Sequence, residues 1–377
     1  MVADAALEAL RCWIDLSLVD GLGPAGYRAL LTAFGEPVHI LSASHRELRS
    51  VVNASLAERI HQADRQEASL RALAWSQQQN HAILTLADSD YPPQLLEIPD
   101  PPPLLYVRGR RHLLSANSIA IVGSRSATHQ GIANAEQFAR ALSNGGWTIT
   151  SGLALGIDAA AHRGGLAGPG ATIAVVGHGV DRLYPQSNLA LAQHIANQGV
   201  IVSEFPLGTP PLRGNFPRRN RLIAGLSRGC LVVEAALGSG SLITARLALE
   251  QGREVFAIPG SIHSPVSRGC HALIKQGAKL VETGRDVLDE LGGVAHHALA
   301  TTPPERDNNK GGLERNLSSL ELRLVQHMGY DPCTLDRLIS LSGLTAETVS
   351  AMLLQLELEG RVVSLPGALY QIVMAPQ

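Results

Sequence analysis

Short runs of consecutive apolar, largely β-branched residues alternate with amphipathic segments through the middle of the chain. The seven runs are 118–124 (SIAIVGS), 147–152 (WTITSG), 171–177 (ATIAVVG), 200–205 (VIVSEF), 230–235 (CLVVEA), 254–260 (EVFAIPG) and 278–283 (AKLVET). Nearly continuous apolar strands between helices are typical of a parallel sheet covered on both faces. The pattern therefore predicts an extended Rossmann-like α/β domain with a doubly wound, mostly parallel sheet.

Residues 1–87 show helical periodicity without the alternation of a strand. Within them, Gly21-Leu22-Gly23 separates two apolar helical patterns, and Pro24 suits the first position of a helix. This turn resembles a helix-hairpin-helix, in which N–H groups at a helix start bind phosphate, but Arg28 is its only basic residue. An ordinary turn in a small helical domain is the favoured interpretation.

Two stretches set the predicted domain boundaries. Six prolines fall between Pro92 and Pro103, a density that predicts a stiff, extended connector without a helix. Residues 294–312 are polar with Pro and Gly, which predicts a flexible linker. The expected units are a helical domain at 1–87, the α/β domain with its proline-rich start at 88–293, the linker at 294–312 and a C-terminal domain at 313–377.

The C-terminal domain reads as three helices, at 317–328, 334–341 and 345–359, followed by the hairpin RVVSLPGALYQIV. A tight turn before the third helix and a two-stranded tail predict a winged helix-turn-helix. The third helix carries Glu347, Glu357 and Glu359 and no Lys or Arg, so the DNA major groove would repel it. We therefore expect a protein–protein module and disfavour a transcription regulator that acts through this domain.

Composition excludes several classes of protein. The 377 residues carry a formal net charge of −2, so any site for a polyanion must be local. The four cysteines form no C-x-x-C pair, which argues against a thiolate metal site and a disulfide framework. Asp4 and Glu8 stand where a signal peptide needs basic charge, and no apolar stretch reaches membrane-spanning length, so we expect a cytoplasmic protein without a membrane partner.

Glycine and serine follow several predicted strands, at the edge where open α/β sheets bind ligands. Glycine lets backbone N–H groups approach an anion closely, and serine adds a hydroxyl donor. A phosphate-binding rim is predicted from Gly123-Ser124-Arg125, from Ser151, Gly152 and Gly156, from the GHG at 177–179, and from Gly240-Ser241. The first loop lacks G-x-G-x-x-G and the chain lacks G-x-x-x-x-G-K-[ST], so no nucleotide cofactor is expected.

The sharpest local signal is a basic segment at 205–233 that contains five Arg and no Asp or Glu. Its NFPRRNR sequence supplies the candidate contacts Phe216, Arg218, Arg219, Asn220 and Arg221. Arginine forks bind phosphate oxygens, and an exposed ring can stack on an unpaired base. A solvated basic face with Phe216 in the core is the alternative, but beside the glycine rim a single-stranded nucleic-acid groove is favoured.

Four ionisable residues near the rim could carry chemistry. Asp158 and His162 are spaced i, i+4 on one helix, but no third metal ligand has recognisable spacing. Loop capping by Asp158 and internal hydrogen bonds of His162 are favoured, and no metal is expected. Glu204 and Glu234 could catalyse hydrolysis or could equally hold loops, which leaves a nucleoside-phosphate hydrolase of the Rossmann phosphoribohydrolase type as the alternative function.

The motifs IAIVGSR, SGLALGIDAAAH, GHGVDRLYPQSN, SEFPLG, FPRRNRLIAGLS and SGSLITARLALEQGREVFAIPG resemble the DNA-processing protein A (DprA, or Smf) family in order and spacing over about residues 88–292. The resemblance implies a non-enzymatic, homodimeric protein that binds and protects single-stranded DNA and helps load the RecA recombinase in natural transformation.

The resemblance also implies site residues. The family's phosphate-contacting Arg falls on Arg125, and its F-x-x-R-N-R element falls on Phe216, Arg219, Asn220 and Arg221. Leu155 stands where the family commonly has a basic or polar residue. That difference puts an anion contact from this side chain in doubt, but not the contacts from the backbone.

Overall fold

The structure is a computed structural model that describes residues 2–62, 65–292, 318–328 and 332–372. The predicted linker at 294–312 lies outside these described residues. Elements are numbered below in chain order.

Helices form the N-terminal unit: α1 (Val2–Ser17), α2 (Pro24–Phe34), α3 (Pro37–Ser42), α4 (His45–Leu48), α5 (Ala54–Gln62) and α6 (Gln66–Ser76). Gly23 precedes α2 in extended conformation and Pro24 occupies its first turn, because proline lacks only an N–H that the helix start does not use. The Ser44 hydroxyl and the Glu47 carboxylate cap the start of α4 reciprocally.

The region around the proline-rich segment corrects two expectations. Residues 81–85, predicted as part of the helical unit, form strand β1 (His81–Thr85). The segment predicted to be helix-free contains the short helix α7 (Pro93–Leu96), which proline tolerates in its first turn, and it continues into strand β2 (Leu104–Gly109). Both strands extend the sheet, so the α/β unit begins before residue 88.

The remaining elements of the α/β domain follow in the predicted alternation. They are β3 (Ser118–Val122), α8 (His129–Asn144), β4 (Thr148–Ser151), α9 (Ile157–Leu166), β5 (Thr172–Val175), α10 (Leu189–Gln198), β6 (Val200–Ser203), α11 (Asn215–Leu226), β7 (Gly229–Val232), α12 (Gly240–Glu250), β8 (Glu254–Ala257), α13 (Arg268–Lys275), β9 (Lys279–Leu280) and α14 (Gly284–Glu290). Each of the seven predicted apolar runs overlaps one of these strands, which confirms the predicted α/β fold.

The nine strands form one sheet in the order β1-β2-β6-β5-β4-β3-β7-β8-β9. Strands β3 to β9 are parallel, whereas β2 pairs antiparallel with both β1 and β6. From β3 the chain builds towards β6 on one side and then returns to place β7 on the other side of β3. The switch point of the sheet therefore lies between β3 and β7, where open α/β folds form a ligand crevice.

Buried side chains cover both faces of this sheet. Val122, Val175 and Val232 belong to one apolar cluster, and Ile121, Ile149 and Leu231 belong to another. The alternation along each strand explains the division, because successive side chains point to opposite faces. A third cluster joins helical residues such as Ile14 and Leu30 to Tyr106 and Ile201 of the sheet. The N-terminal helices thus share a core with the β1-β2-β6 side of the sheet.

The C-terminal unit contains α15 (Ser319–Met328), β10 (Cys333–Thr334), α16 (Leu335–Ser342), α17 (Ala346–Leu358), β11 (Val362–Leu365) and β12 (Leu369–Ile372). Its three strands pair antiparallel in the order β10-β12-β11. Gly343 ends α16 at φ 70°, a left-handed conformation that glycine adopts without strain. The three helices and the hairpin lie where the winged-helix prediction puts them.

Among the described residues, no single helix is long and apolar enough to cross a membrane. The pair α16 and α17 reaches that length and composition only when taken together, across a bend of 113°.

Candidate nucleic-acid interface

A cleft of about 870 Å³ lies at the switch point of the sheet. The loop after β3, the loop after β7 and the first turns of α11 and α12 line it. Among its lining residues are the predicted site residues Gly123, Ser124, Arg125, Phe216, Arg219, Asn220, Gly240 and Ser241. The structure therefore brings together three segments that are up to about 120 residues apart in the sequence.

The electrostatics of the cleft favour an anion. Arg125 is exposed on the β3 loop, and Arg213 is exposed just before α11. Both α11 and α12 begin at the cleft and carry no acidic residue in their first turns. The start of a helix carries a partial positive charge and presents free N–H groups, so two such starts beside two guanidinium groups have the chemistry to hold an anion such as phosphate.

An aromatic ring stands beside the exposed cation. Phe216 is half-buried, and the guanidinium carbon of Arg125 lies 5.5 Å from the centre of its ring. This distance is within the range of a cation–π contact, which holds the Arg125 side chain over the cleft. The pair places a positively charged group next to a flat apolar ring at the border of the cleft.

Arg219 differs from its prediction as a direct phosphate contact. It is only 4% exposed, and its Nη1 donates to the carbonyl oxygens of Gly152, at 2.7 Å, and of Val175. Burial lowers the pKa of Arg219 to about 10, so the group stays charged at neutral pH. The guanidinium therefore ties the loop after β4 to the end of β5 instead of facing solvent.

Arg218 and Arg221 lie on the opposite side of α11 from the cleft, against the prediction of one groove for the whole motif. Arg221 is largely buried and pairs with Glu204 and with the carbonyl oxygen of Asp100. Arg218 is exposed, with its guanidinium 5.2 Å from the ring centre of Phe205. It lines a separate cavity of about 300 Å³ between the α1–α2 turn and the end of β6. Helical geometry explains this, because Phe216 and Arg218 are about 200° apart around the axis.

The β4 loop has a supporting role. Ser151 is buried and donates to the carbonyl oxygen of Ile121. Gly156 has φ 72°, and a Cβ there would come 2.3 Å from the carbonyl oxygen of Ser124, so only glycine lets the β3 and β4 loops approach this closely. Leu155 is exposed at the edge of the site. These residues shape the cleft from behind.

Asp158 and His162 make the internal contacts predicted for them. Asp158 accepts from the backbone N–H of Gly152, at 3.1 Å, and of Ala154, at 3.3 Å. His162 accepts from the N–H of Leu153 through Nε2. Its Nδ1 lies 2.7 Å from the hydroxyl of Thr172, which itself donates to a carbonyl, so Nδ1 carries the proton.

Burial lowers the pKa of His162 to about 3, which keeps the ring neutral. Within the described ranges, no group of three or more His, Cys, Asp or Glu side chains could hold a metal ion.

The two acids considered for hydrolysis are occupied by internal donors. Glu234 accepts from the backbone N–H of Thr128 at 2.9 Å and from its hydroxyl at 2.5 Å, which fixes the start of α8. Glu204 is 4% exposed and pairs with Arg221. Burial is the largest influence on Glu204 and raises the pKa of its carboxyl, against the charge of Arg221. These contacts favour the loop-holding alternative over catalysis.

The sequence analysis did not name two residues of the cleft, Tyr184 and Arg213, as site residues. Tyr184 is 47% exposed, and its ring centre lies 6.2 Å from that of Phe216. An aromatic residue within a polar, proline-containing loop is the available sequence signal for Tyr184. Arg213 belongs to the basic segment but stands outside the NFPRRNR motif, so no pattern separates it from a solvated arginine.

A doubly wound α/β domain with a cationic, ring-lined cleft, preceded by helices and followed by a winged helix, defines a class of DNA-processing proteins. The family model for DNA recombination-mediator protein A matches residues 82–292, and the model for the DprA winged helix domain matches residues 309–368. The chain therefore belongs to the DNA recombination-mediator protein A family, which confirms the resemblance seen in its motifs.

Individual relatives agree with this assignment. Protein Smf of Escherichia coli (strain K12) is 44% identical over 298 residues, which are 78% of this chain and 79% of the relative. Protein Smf of Synechocystis sp. is 37% identical over 388 residues, covering 95% and 98% of the two chains.

Solved structures extend the likeness to three dimensions. The X-ray structure of DNA processing protein A from Streptococcus pneumoniae matches with a TM-score of 0.66 and 41% identity, over 74% of this chain and 97% of that one. A structure of DNA processing protein A from Helicobacter pylori, solved to explain its single-stranded DNA binding mode, matches with a TM-score of 0.51 and 32% identity over 55% and 95% of the chains.

Proposed function

We propose that this protein binds single-stranded DNA in the switch-point cleft, protects it, and helps load the RecA recombinase onto it in recombination and natural transformation. The observation that carries the proposal is the exposed Arg125 stacked on Phe216 where two helices begin. The Helicobacter pylori relative, which binds single-stranded DNA, supports it.

Phosphate binding follows from the charges of the cleft. Arg125 and Arg213 can each form forked hydrogen bonds with a phosphodiester oxygen, and the N–H groups that begin α11 and α12 add further donors. Each neutralised phosphate releases counterions. In a plot of the logarithm of the binding constant against the logarithm of the salt concentration, each phosphate contact with a single strand should therefore contribute a slope of about −0.7.

The preference for single strands follows from Phe216. Its ring borders the cleft at the level of Arg125, where a base attached to a bound phosphate could stack on it. Only an unpaired base exposes its face for such stacking. The cleft should therefore bind a single strand more tightly than a duplex of equal length.

The test is fluorescence anisotropy of labelled oligo-dT over a salt series, with an equal-length duplex as competitor. Arg125→Ala should weaken binding and reduce the salt slope by about 0.7, because one phosphate contact is lost. Arg285→Ala is the matched control, since Arg285 is exposed on α14 and pairs with Asp289 away from the cleft. Unchanged affinity and slope in Arg125→Ala would refute the assignment of the cleft.

The later steps of the proposed function need separate experiments. Loading of RecA predicts faster DNA-dependent ATP hydrolysis by RecA on strands coated with single-strand binding protein when this protein is added. A homodimer predicts twice the chain mass, 39.9 kDa each, in light scattering. If this protein does not speed up ATP hydrolysis by RecA in that assay, recombinase loading is excluded and the proposed DNA binding is unaffected. We also propose that the protein is cytoplasmic, because it would meet single-stranded DNA and RecA there.

The winged helix is proposed to be a protein–protein module. Helix α17, which would enter the major groove in a DNA-binding winged helix, carries Glu347 in its first turn and Glu357 in its last. Acidic side chains at both ends oppose contact with phosphate. Tight binding of a duplex by the isolated fragment 313–377 would overturn this assignment.

A further inference from the structure

Helix α17 of the winged helix exposes apolar side chains to solvent. Leu354 is 59% exposed, and Leu358, at 81%, is the most exposed large apolar side chain in the described part of the chain. The opposite side of the helix holds Val349, Leu353 and Leu356, which belong to the core of the winged helix. A surface helix ordinarily turns a polar face to solvent, so the fold of this domain does not need the two exposed leucines.

The exposed leucines belong to a regular stripe along the helix. Glu347, Ala351, Leu354 and Leu358 follow one another at intervals of four, three and four residues, and all four are exposed. At about 100° per residue, the four side chains fall within an arc of about 60°. Contact positions in a coiled coil have the same spacing, and there a second helix lies along the stripe. We call these four residues the leucine face.

Acidic side chains accompany the leucine face. Glu347 is exposed in the first turn of α17, and Glu357 and Glu359 stand beside its last turn. The described residues of the winged helix, 318–328 and 332–372, contain five acidic residues, three Arg and no Lys. The surroundings of the exposed leucines are therefore negatively charged, which favours a cationic partner.

We propose that the leucine face docks an amphipathic helix of a partner protein, with apolar residues along one stripe and Lys or Arg beside them. This inference rests on the proposed role of the winged helix as a protein–protein module and names the chemistry of its partner. Docking of a helix buries Leu354 and Leu358 against apolar side chains. Basic residues beside the stripe of the partner pair with the glutamates, as flanking charges do in coiled coils.

The charges argue against other occupants of this face. Two copies of α17 side by side would bring Glu347 next to Glu347 in a parallel arrangement and next to Glu357 in an antiparallel one. Like charges at such positions select against self-pairing. The same glutamates repel DNA and anionic membranes. A basic helix is the occupant whose charge complements the face.

The experiment uses the full chain and a fluorescein-labelled helical peptide of about three heptads, with Leu at the contact positions and Lys at the flanking positions. A twin peptide has Glu in place of every Lys. In fluorescence anisotropy the Lys peptide should bind, more weakly as salt rises, and the Glu peptide should not. Leu354→Ala and Leu358→Ala should each weaken binding of the Lys peptide roughly 10- to 100-fold, because a buried leucine side chain is lost. Glu347→Gln should weaken binding less and reduce its salt dependence.

A second measurement locates the bound peptide. The four native cysteines are buried, so a thiol introduced by Ala351→Cys is the one that takes a polarity-sensitive dye. Emission of this dye should shift to shorter wavelength when the Lys peptide binds, because Ala351 lies within the leucine face. The same dye on Ala25→Cys, at an exposed position of α2, should show no shift.

Controls separate docking from the fold and from DNA binding. Leu70→Ala is the matched substitution, since Leu70 is 49% exposed on α6 of the N-terminal unit, and it should leave the affinity for the Lys peptide unchanged. Thermal unfolding of Leu358→Ala should match the wild type, because the side chain is exposed. Leu358→Ala should also keep the affinity for oligo-dT, because the leucine face lies outside the cleft.

The outcomes separate this docking face from the proposed function. If neither peptide binds, if both bind equally, or if the leucine variants bind the Lys peptide as tightly as the wild type, the docking face is overturned and DNA binding by the cleft is unaffected. A homodimer that Leu358→Ala converts to a monomer in light scattering would place a second copy on this face and would also overturn the proposal.

Tight duplex binding by the full chain that Leu358→Ala abolishes would overturn both the docking face and the protein–protein role of the winged helix. Binding of the Lys peptide that depends on Leu354 and Leu358, together with the emission shift at position 351, would establish the docking face.

Discussion

Replacement of Arg219 by methionine should destabilise the fold without removing a phosphate contact. The buried guanidinium donates to carbonyl oxygens of Gly152 and Val175, in the loop after β4 and at the end of β5. Burial raises the pKa of Asp158, and the positive charge of Arg219 is the strongest influence that lowers it. Methionine has a similar length but neither donors nor charge.

The magnitude follows from the groups that are left behind. Removing one partner from a buried pair of charges costs about 3–5 kcal/mol, because the remaining charge keeps its desolvation penalty. With a shift of about 2–4 °C per kcal/mol for a domain of this size, the melting temperature should fall by roughly 6–20 °C. Asp158→Asn in the same chain should recover part of the loss, because it removes the uncompensated carboxylate.

Two measurements test this prediction. Differential scanning calorimetry should show the lower melting temperature, and the salt series should show a slope equal to that of the wild type. Arg125→Met is the matched comparison, since an exposed arginine should change stability by less than about 0.5 kcal/mol but reduce the slope by about 0.7. An Arg219→Met protein with unchanged stability and a reduced slope would show that this side chain leaves the interior to bind phosphate.

Three further predictions follow from the structure. First, because the pKa of His162 is about 3 in the folded protein and about 6.5 in the unfolded chain, the unfolded state binds more protons between these values. Stability should therefore fall as the pH drops from 6.5 towards 3, by up to about 1.4 kcal/mol per unit, and thermal unfolding of His162→Gln should show a weaker pH dependence. Second, Gly156→Ala should abolish oligonucleotide binding by pushing the β3 loop away, whereas Gly23→Ala, outside the residues that line the cleft, should bind normally in the same anisotropy assay, because no atom lies within 4 Å of its added Cβ. Third, a chain that ends at residue 293 should keep its affinity for single strands, and a large loss would place part of the site in the winged helix.

Local patterns predicted the α/β domain well. Apolar runs of six or seven residues between amphipathic segments are properties of neighbouring residues, so they identify β3 to β9 without knowledge of the fold. The same local logic located the three helices and the hairpin of the winged helix. It missed β1 and β2, because His81–Thr85 becomes a strand only by pairing with Leu104–Gly109. That pairing depends on contacts between residues 19 to 27 positions apart, which local periodicity does not record.

The sequence by itself also determined which residue types surround the cleft, since glycines, serines and arginines follow the strand ends at recognisable spacings. Only the tertiary structure decided what each one does. Arg218, Arg219 and Arg221 are close neighbours in the chain, yet one is exposed on the far side of α11, one is buried behind the cleft, and one is paired with a carboxylate. Tyr184 joins the cleft only because the loop after β5 folds beside the start of α11. The physical reason is that burial and pairing depend on the groups that the fold brings within a few ångströms, and those groups come from distant parts of the chain.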